Sequence, residues 1–337
     1  MKKFKIIVSL VALSILFFIL PSPVTARVKL TYSNFFPPTH IQSKLSESWC
    51  KEVEKRTNGE VKIDYYPAGT LTKARNVYDG VVQGLSDVGL SVLAYSRGRF
   101  PVLGTVDLPL GYPSGTVATK VANAVFNEFK PKEFRDVKVM FFHAHGPGLF
   151  FTAKKPIRKL SDIKGLKLRA TGNAAKIVKA LGGTPVAQSM PDAYQSIQKG
   201  VVDGGVYPFE TNKGWRMAEV VDYGTAAYSI AYSTTFFVVM NKRKWAKLSK
   251  SAQRTILAIN KEWTMKHAAA WDSSDEIGLK YFLNQGNQII GLDKREAAKW
   301  VKAVAPIIDG YKKTLDKKGL NGKKIVDFTK QYLDSLQ

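Results

Sequence analysis

Residues 194–207 read YQSIQKGVVDGGVY, and residues 78–89 read YDGVVQGLSDVG. The two stretches share the spacing Tyr-x5-Gly-x2-Asp-x-Gly, in which the first glycine is Gly84 in one and Gly200 in the other. In each stretch a helical pattern stops at that glycine and a strand pattern follows, as is common where glycine ends a helix. The sequence therefore predicts the same helix-to-strand junction twice.

The same order of elements surrounds both junctions, namely strand, helix, strand, helix and strand. Alternating apolar residues predict the strands, and apolar residues spaced by about four predict the helices. The first set has strands Val28–Asn34, Val61–Tyr66 and Asp87–Val92 with helices His40–Thr57 and Lys73–Gln83, and the second has strands Leu166–Ala170, Thr184–Gln188 and Gly205–Tyr207 with helices Ala174–Leu181 and Pro191–Lys199. This repeat predicts two similar α/β lobes. Facing lobes form a cleft at the strand ends, where open α/β sheets bind ligands.

Two later segments are expected to cover these lobes. The segment Leu248–Glu276 contains no Gly or Pro and predicts one helix of about 40 Å, long enough to lie across both lobes. The Lys-rich segment Asp293–Gln337 has helical spacing and predicts a solvated amphipathic cover.

The first 26 residues have the three parts of a secretory signal peptide. Residues 1–5 read MKKFK, residues 6–20 are an apolar run, and residues 24–26 read VTA, which suits cleavage. A membrane anchor is the alternative, but the run is shorter than the roughly 20 residues that span a bilayer. We expect a soluble, periplasmic protein that begins near Arg27.

Composition narrows the partners further. The chain has 51 Lys and Arg against 27 Asp and Glu, and its formal charge of +24 favours anionic partners. The basic residues are scattered without a nucleic-acid motif, so we expect no nucleic acid. Cys50 is the sole cysteine, which excludes an internal disulfide and a cysteine-based metal site. We expect a monomer that packing alone holds together.

The sequence lacks the common catalytic and phosphate-binding motifs, including Gly-x-Ser-x-Gly and His-Glu-x-x-His. His143 and His145 share one face of a predicted strand, where two imidazoles could hold a metal. No third ligand is evident, so ordinary strand histidines are the favoured interpretation. We expect no catalytic residue, metal or cofactor, and an exported α/β enzyme remains an alternative.

Arg169 is the strongest candidate for a ligand contact. It ends the strand of residues 166–170, and Thr171 and Asn173 stand where the next helix begins. A guanidinium fork, a helix N-terminus and small polar side chains together suit a carboxylate. A surface arginine or a structural ion pair is the alternative interpretation.

Other candidates come from the ends of neighbouring strands. Asn34, Phe35 and Phe36 follow the first strand and are expected to form the opposite wall of the cleft. Tyr207 and Phe209 close the third strand of the second set. Core packing is an alternative for Phe209, whereas the Tyr207 hydroxyl suits a ligand.

These residues resemble the substrate-binding proteins of tripartite ATP-independent periplasmic transporters, the TRAP family. The resemblance covers nearly the whole mature chain and rests on FPPTH at residues 36–40, IKGLKLR at residues 163–169, the spacing that begins at Tyr194, and the late long helix. It implies two α/β lobes joined by crossing hinge strands and a spanning helix. The expected lobes are residues 27–146 plus 235–274 and residues 147–234 plus 275–337.

The resemblance also implies a function. Such proteins close over one ligand and deliver it to the TRAP membrane permease subunits, without catalysis. A sensor that presents ligand to a membrane receptor would share the fold and remains an alternative.

The resemblance bears on the ligand too. The family arginine at the position of Arg169 pairs with a substrate carboxylate, whereas Leu149 and Tyr207 stand where members that bind sialic acid have a second arginine and an asparagine. These departures favour a small organic carboxylate, either an aromatic acid or a short 2-oxo or 2-hydroxy acid, over a sugar acid.

Overall fold

The computed structural model describes residues 27–337, so the predicted signal peptide at residues 1–26 lies outside the described residues. The strands are β1 (Val28–Asn34), β2 (Val61–Tyr66), β3 (Val88–Val92), β4 (Val137–Ala144), β5 (Leu149–Thr152), β6 (Lys167–Ala170), β7 (Thr184–Ala187), β8 (Gly204–Tyr207), β9 (Tyr223–Ala226), β10 (Thr235–Asn241) and β11 (Gln288–Gly291). The α-helices are α1 (Ile41–Arg56), α2 (Val77–Gln83), α3 (Gly115–Phe129), α4 (Gly172–Ala180), α5 (Met190–Gln198), α6 (Thr211–Gly214), α7 (Lys242–Lys247), α8 (Lys250–Asn284), α9 (Lys294–Asp316) and α10 (Gly322–Asp334).

The strands form two sheets, and each contains one copy of the sequence repeat. The first sheet has the order β2-β1-β3-β10-β4, and the second has the order β11-β9-β5-β8-β6-β7. The first strand of each repeat lies between the other two and runs parallel to both. An antiparallel strand follows in each sheet, β10 beside β3 and β5 beside β8. The predicted pair of similar α/β lobes is confirmed.

The residues of the shared spacing have the same structural role in both lobes. Asp87 accepts a hydrogen bond from the backbone N–H of Thr31 in β1 at 2.8 Å, and Asp203 accepts one from Lys167 in β6 at 2.7 Å. Each carboxylate therefore ties the start of the third strand to the first. Gly84 and Gly200 adopt positive φ angles of 84° and 69° after their helices, a conformation that glycine adopts without strain.

Three segments cross between the lobes. Residues 145–148 join β4 to β5, and residues 227–234 join β9 to β10. These two segments run antiparallel, because the N–H of Gly148 donates to the Tyr232 carbonyl at 2.8 Å. The third segment is α8, which packs on α1 and β4 in the first lobe and on α6 in the second. The crossing strands and the spanning helix are those of the expected fold.

Helix α8 is longer than the sequence predicts, because it continues through Gly278 to Asn284. A Cβ at Gly278 would lie 2.1 Å from the Phe209 carbonyl oxygen. The glycine therefore does not end the helix; it lets the helix backbone approach the second lobe closely.

The C-terminal cover consists of two helices, α9 and α10. Helix α9 packs on α4 of the second lobe, whereas α10 packs on α3 of the first. The end of α9, with Tyr311 and Leu315, and the apolar face of α10, with Ile325 and Leu333, join a first-lobe cluster. The expected lobe division instead assigns all of residues 275–337 to the second lobe. None of the helices in residues 27–337 combines the length and the hydrophobicity that a membrane span requires.

Candidate functional site

A cavity lies between the two sheets, at the carboxyl ends of β1, β3, β6 and β8. Both lobes and both crossing strands line it. The lobes also touch each other directly around this space, so the cleft is closed.

Direct contacts between the lobes hold it shut. The backbone N–H of Met190 donates to the Tyr95 hydroxyl at 2.7 Å, and the Asn173 amide donates to the Gly104 carbonyl at 2.9 Å. His40 Nδ1 accepts from the N–H of Gln42, so its Nε2 carries the hydrogen that is donated to Glu210 Oε2 at 2.9 Å.

Arg169 supplies the positive charge of the cavity. Its side chain lies at the end of β6 with only 5% of its surface exposed. Nε donates to the Gln188 carbonyl at 3.0 Å and Nη1 to the Val206 carbonyl at 3.4 Å, which fixes the guanidinium plane. No carboxylate within residues 27–337 forms a salt bridge with it. The remaining N–H groups are therefore available to an anion. Binding an anion there would be favourable, because a buried charge without a counter-charge is costly.

Tyr207 lies at the end of β8 and also lines the cavity. Its ring stacks on Phe151 with 4.5 Å between centroids, and its hydroxyl has no hydrogen-bond partner among the described residues. Burial raises the pKa of Tyr207 well above its usual value, although the charge of Arg169 opposes this effect. The hydroxyl is therefore a neutral donor beside the guanidinium.

The first lobe contributes mainly aromatic rings. Phe35 and Phe36 follow β1 and stack on each other with 4.4 Å between centroids. The Phe36 ring also packs near the rings of Phe236 in β10 and Trp271 in α8, with centroid distances of 5.6 and 6.0 Å. All four residues line the cavity and are buried. Offset and tilted rings of this kind suit an aromatic ligand.

The sequence predicts nine site residues, and five of them line the cavity: Arg169, Thr171, Tyr207, Phe35 and Phe36. Thr171 precedes α4, and its hydroxyl makes no capping bond to that helix.

The other four lie behind the walls. The Asn34 amide nitrogen donates to Ser46 and Tyr65, while its oxygen accepts from the N–H of Phe36 and so fixes the turn after β1. The Asn173 amide forms the contact between the lobes described above. Leu149 and Phe209 belong to an apolar cluster of the second lobe.

Several lining residues were not nominated from the sequence, including His145, Glu210, Phe236 and Trp271. Phe236 and Trp271 follow the repeats by many residues, so no local pattern connects them to the cleft. Glu210 had a usable signal, because it follows β8 at the same strand-end position that nominated Phe209.

His143 and His145 each form a hydrogen bond with a neighbouring group of the protein. His143 Nδ1 accepts a hydrogen bond from Trp271 Nε1 at 2.9 Å, and its ring stacks on His267. Burial lowers the pKa of His143 well below its usual value. No group of three metal-binding side chains occurs in the part of the chain that the structure describes.

Comparison with known proteins gives a consistent result. The sequence profile of the family described as "Bacterial extracellular solute-binding protein, family 7" matches residues 32–314. A TRAP periplasmic solute binding protein from Desulfovibrio salexigens is 31% identical, with a TM-score of 0.80 over 91% of this chain and 96% of that chain.

Two further solved structures are similar over nearly the whole described chain. One is a marine metagenome TRAP solute binding protein specific for aromatic acid ligands, in complex with 3-hydroxybenzoate; it is 27% identical, with a TM-score of 0.87 over 92% of this chain and 99% of that chain. The other, from Bordetella bronchiseptica, has bound (R)-mandelate and (S)-mandelate; it is 27% identical, with a TM-score of 0.86 over 92% and 100%.

Proposed function

The chain belongs to family 7 of the bacterial extracellular solute-binding proteins, and from that premise we propose that it captures a small aromatic monocarboxylate for a TRAP membrane permease. The family consists of transport proteins that bind a solute.

The buried guanidinium of Arg169 carries this proposal. Its Nε and Nη1 bonds to backbone carbonyls hold it in place but leave its charge uncompensated within the described residues. A ligand carboxylate would supply the missing charge through a bidentate pair, which is the strongest geometry available to arginine. The Tyr207 and Thr171 hydroxyls would add neutral donors to the same carboxylate.

The aromatic wall supports an aromatic ligand over a sugar acid. A sugar acid carries several hydroxyl groups, and each one that faces Phe35, Phe36 or Trp271 without a partner would cost about 1–3 kcal/mol. A phenyl ring would stack against the same side chains at a gain. Two of the similar structures hold aromatic acids, which agrees with this preference.

The residues behind the walls have supporting roles in this proposal. Asn34 holds the turn that presents Phe35 and Phe36, and Asn173 helps to close the cleft. Leu149 and Phe209 pack in the apolar cluster that also contains the Tyr207 ring. We propose further that the leader at residues 1–26 directs export to the periplasm, where the mature protein acts as a monomer.

A binding screen tests the carboxylate and the ring together. Because a tightly bound ligand can survive purification, the protein is unfolded, dialysed and refolded before thermal-shift assays. Benzoate and phenylacetate should stabilise it, by about 2.7 kcal/mol at a concentration of 100 times the dissociation constant. Benzamide is the matched control, since it keeps the ring but lacks the charge, and it should have little effect. A response to glucuronate together with silence to both aromatic acids would refute the proposal.

A further inference from the structure

The cavity contains a hydrogen-bond acceptor that the carboxylate site does not use. His145 lies in the crossing segment after β4, is 6% exposed and lines the cavity. Its Nδ1 lies 2.6 Å from the carbonyl oxygen of Gly146. A carbonyl can only accept, so Nδ1 carries the hydrogen, and in a neutral imidazole the lone pair then lies on Nε2.

The ring stays neutral under ordinary conditions. Burial lowers the pKa of His145 to about 4, and the nearby charge of Arg169 lowers it too, whereas the bond to Gly146 opposes the shift. Both side chains line the same cavity, which thus offers a cationic donor and a neutral acceptor.

The protein groups around His145 do not use this acceptor. The Tyr232 ring packs edge-on at 5.6 Å, but its hydroxyl donates to the Val206 carbonyl at 3.0 Å. The Trp271 ring packs at 6.3 Å, but its N–H donates to His143. Ser233 donates to the backbone oxygen of His145 and not to its ring. Nε2 therefore has no hydrogen-bond donor among the described residues.

We propose that His145 Nε2 accepts a hydrogen bond from a hydroxyl on the carbon next to the ligand carboxylate, so that the protein prefers aromatic 2-hydroxy acids to their 2-oxo and unsubstituted counterparts. This inference rests on the proposed function, because it takes the carboxylate to lie on Arg169. A hydroxyl donates to the lone pair, whereas a 2-oxo group directs its own lone pairs at it. A methylene group leaves Nε2 unpaired in a closed site, which is unfavourable.

The first test needs no variant. Isothermal titration of the refolded protein with each mandelate enantiomer, phenylacetate and phenylglyoxylate compares ligands with the same ring and carboxylate. The tighter mandelate enantiomer should bind at least about tenfold more tightly than the other two acids, as one unpaired buried acceptor costs roughly this much. Equal affinity for mandelate and phenylacetate would overturn the inference and leave the proposed function intact. Failure of all these acids to bind would instead refute the proposed function.

Variants then assign the preference to His145. His145→Phe keeps an aromatic ring without the acceptor, and the ratio of phenylacetate to mandelate dissociation constants should fall toward one. His145→Gln restores an acceptor oxygen and should recover part of the ratio, which a merely structural role would not predict. Arg158→Ala, which removes an exposed side chain of the same lobe, is the control and should keep the native ratio. If the preference persists in His145→Phe, another group accepts the hydrogen bond and the assignment to His145 is wrong.

Discussion

The two lobes repeat one architecture, yet they present different chemistry to the cavity. The first lobe contributes mainly rings, from Phe35, Phe36, Phe236 and Trp271, whereas the second contributes the guanidinium of Arg169 together with hydroxyls and a carboxylate. In the proposed function, the repeat fixes the position of the ligand, and each lobe recognises a different part of it. The wall from the first lobe would select the ring, and the wall from the second lobe would select the charge.

Each lobe also buries an ionisable side chain of a different kind. In the first lobe Asp107 is 5% exposed and accepts hydrogen bonds from the backbone N–H and the hydroxyl of Thr235, both at 2.9 Å. In the second lobe Arg169 is buried to the same degree. Asp107 can become neutral by taking up a proton, whereas an arginine cannot lose its proton at any ordinary pH. Asp107 can therefore lose its buried charge without a partner, whereas in the proposed function Arg169 depends on the ligand for its counter-charge.

Removing the charge from the second wall should have the largest effect. Arg169→Ala should weaken benzoate binding by about 3–5 kcal/mol, because it leaves a carboxylate buried without its counter-charge. That loss corresponds to roughly a hundredfold to several thousandfold in the dissociation constant. Arg169→Lys keeps the charge without the planar fork and should fall between the variant and the native protein. Isothermal titration measures all three.

Two controls separate binding from folding in that experiment. Arg158→Ala removes an exposed arginine of the same lobe and should leave the affinity unchanged. Thermal unfolding without ligand reports any damage from the two backbone carbonyls that Arg169 no longer contacts. A folded Arg169→Ala protein with native affinity would contradict the division between the walls.

The buried acid of the first lobe should make stability depend on pH. Burial raises the pKa of Asp107 to about 7, although the bonds from Thr235 oppose the shift, while the unfolded chain has a value of about 3.9. Between these values the folded state holds more protons than the unfolded state, so this group makes the free energy of unfolding fall as pH rises from about 4 to about 7. The full shift corresponds to a loss on the order of 2–4 kcal/mol.

Asp107→Asn tests this dependence, because asparagine resembles the protonated acid and keeps an acceptor for Thr235. Urea unfolding at pH 4.5 and pH 7.5 should show a smaller decrease in stability for the variant than for the native protein. The exposed Asp309→Asn provides the control and should keep the native dependence. An identical decrease in both variants would mean that Asp107 is not the group responsible.

The repeat made most of the fold predictable, because its signals are local. The alternation of apolar residues predicted both ends of β1 and of β2 correctly. The shared spacing that begins at Tyr78 and at Tyr194 identified the two matching helix-to-strand junctions. Predictions failed where a distant contact decides the outcome. Gly278 looks like a stop for α8 but is a point of close approach to Phe209, and the docking of α10 on α3 depends on folded neighbours.

The candidate site divides in the same way. Arg169 and Tyr207 lie at the ends of their strands and Thr171 just after one, where the topology of α/β sheets directs side chains toward a cleft. The direction in which the side chain of a turn residue points is harder to predict. The Asn34 amide, for example, points away from the cavity and accepts a hydrogen bond from the N–H of Phe36 in its own turn. From the sequence, His145 could be interpreted only as a metal ligand or as an ordinary strand residue. Its role as an acceptor depends on its tautomer, which the Gly146 carbonyl sets only in the folded chain.

Changing one ring in the first wall should have the smallest effect of these variants. Phe35→Leu keeps an apolar side chain but removes a ring that stacks on Phe36 and packs edge-on against Tyr95. Benzoate and cyclohexanecarboxylate share a carboxylate and differ in aromaticity, so their affinity ratio isolates the contribution of ring stacking. The difference in binding free energy between the two acids should shrink by about 0.5–1.5 kcal/mol in the variant. This is the usual contribution of an aromatic pair beyond its buried area. Phe126→Leu removes a ring that packs on Phe142 away from the cavity and should leave the ratio unchanged. If Phe35→Leu instead weakens both acids equally, the first wall supplies only apolar area, and selection for aromatic ligands belongs to the second lobe.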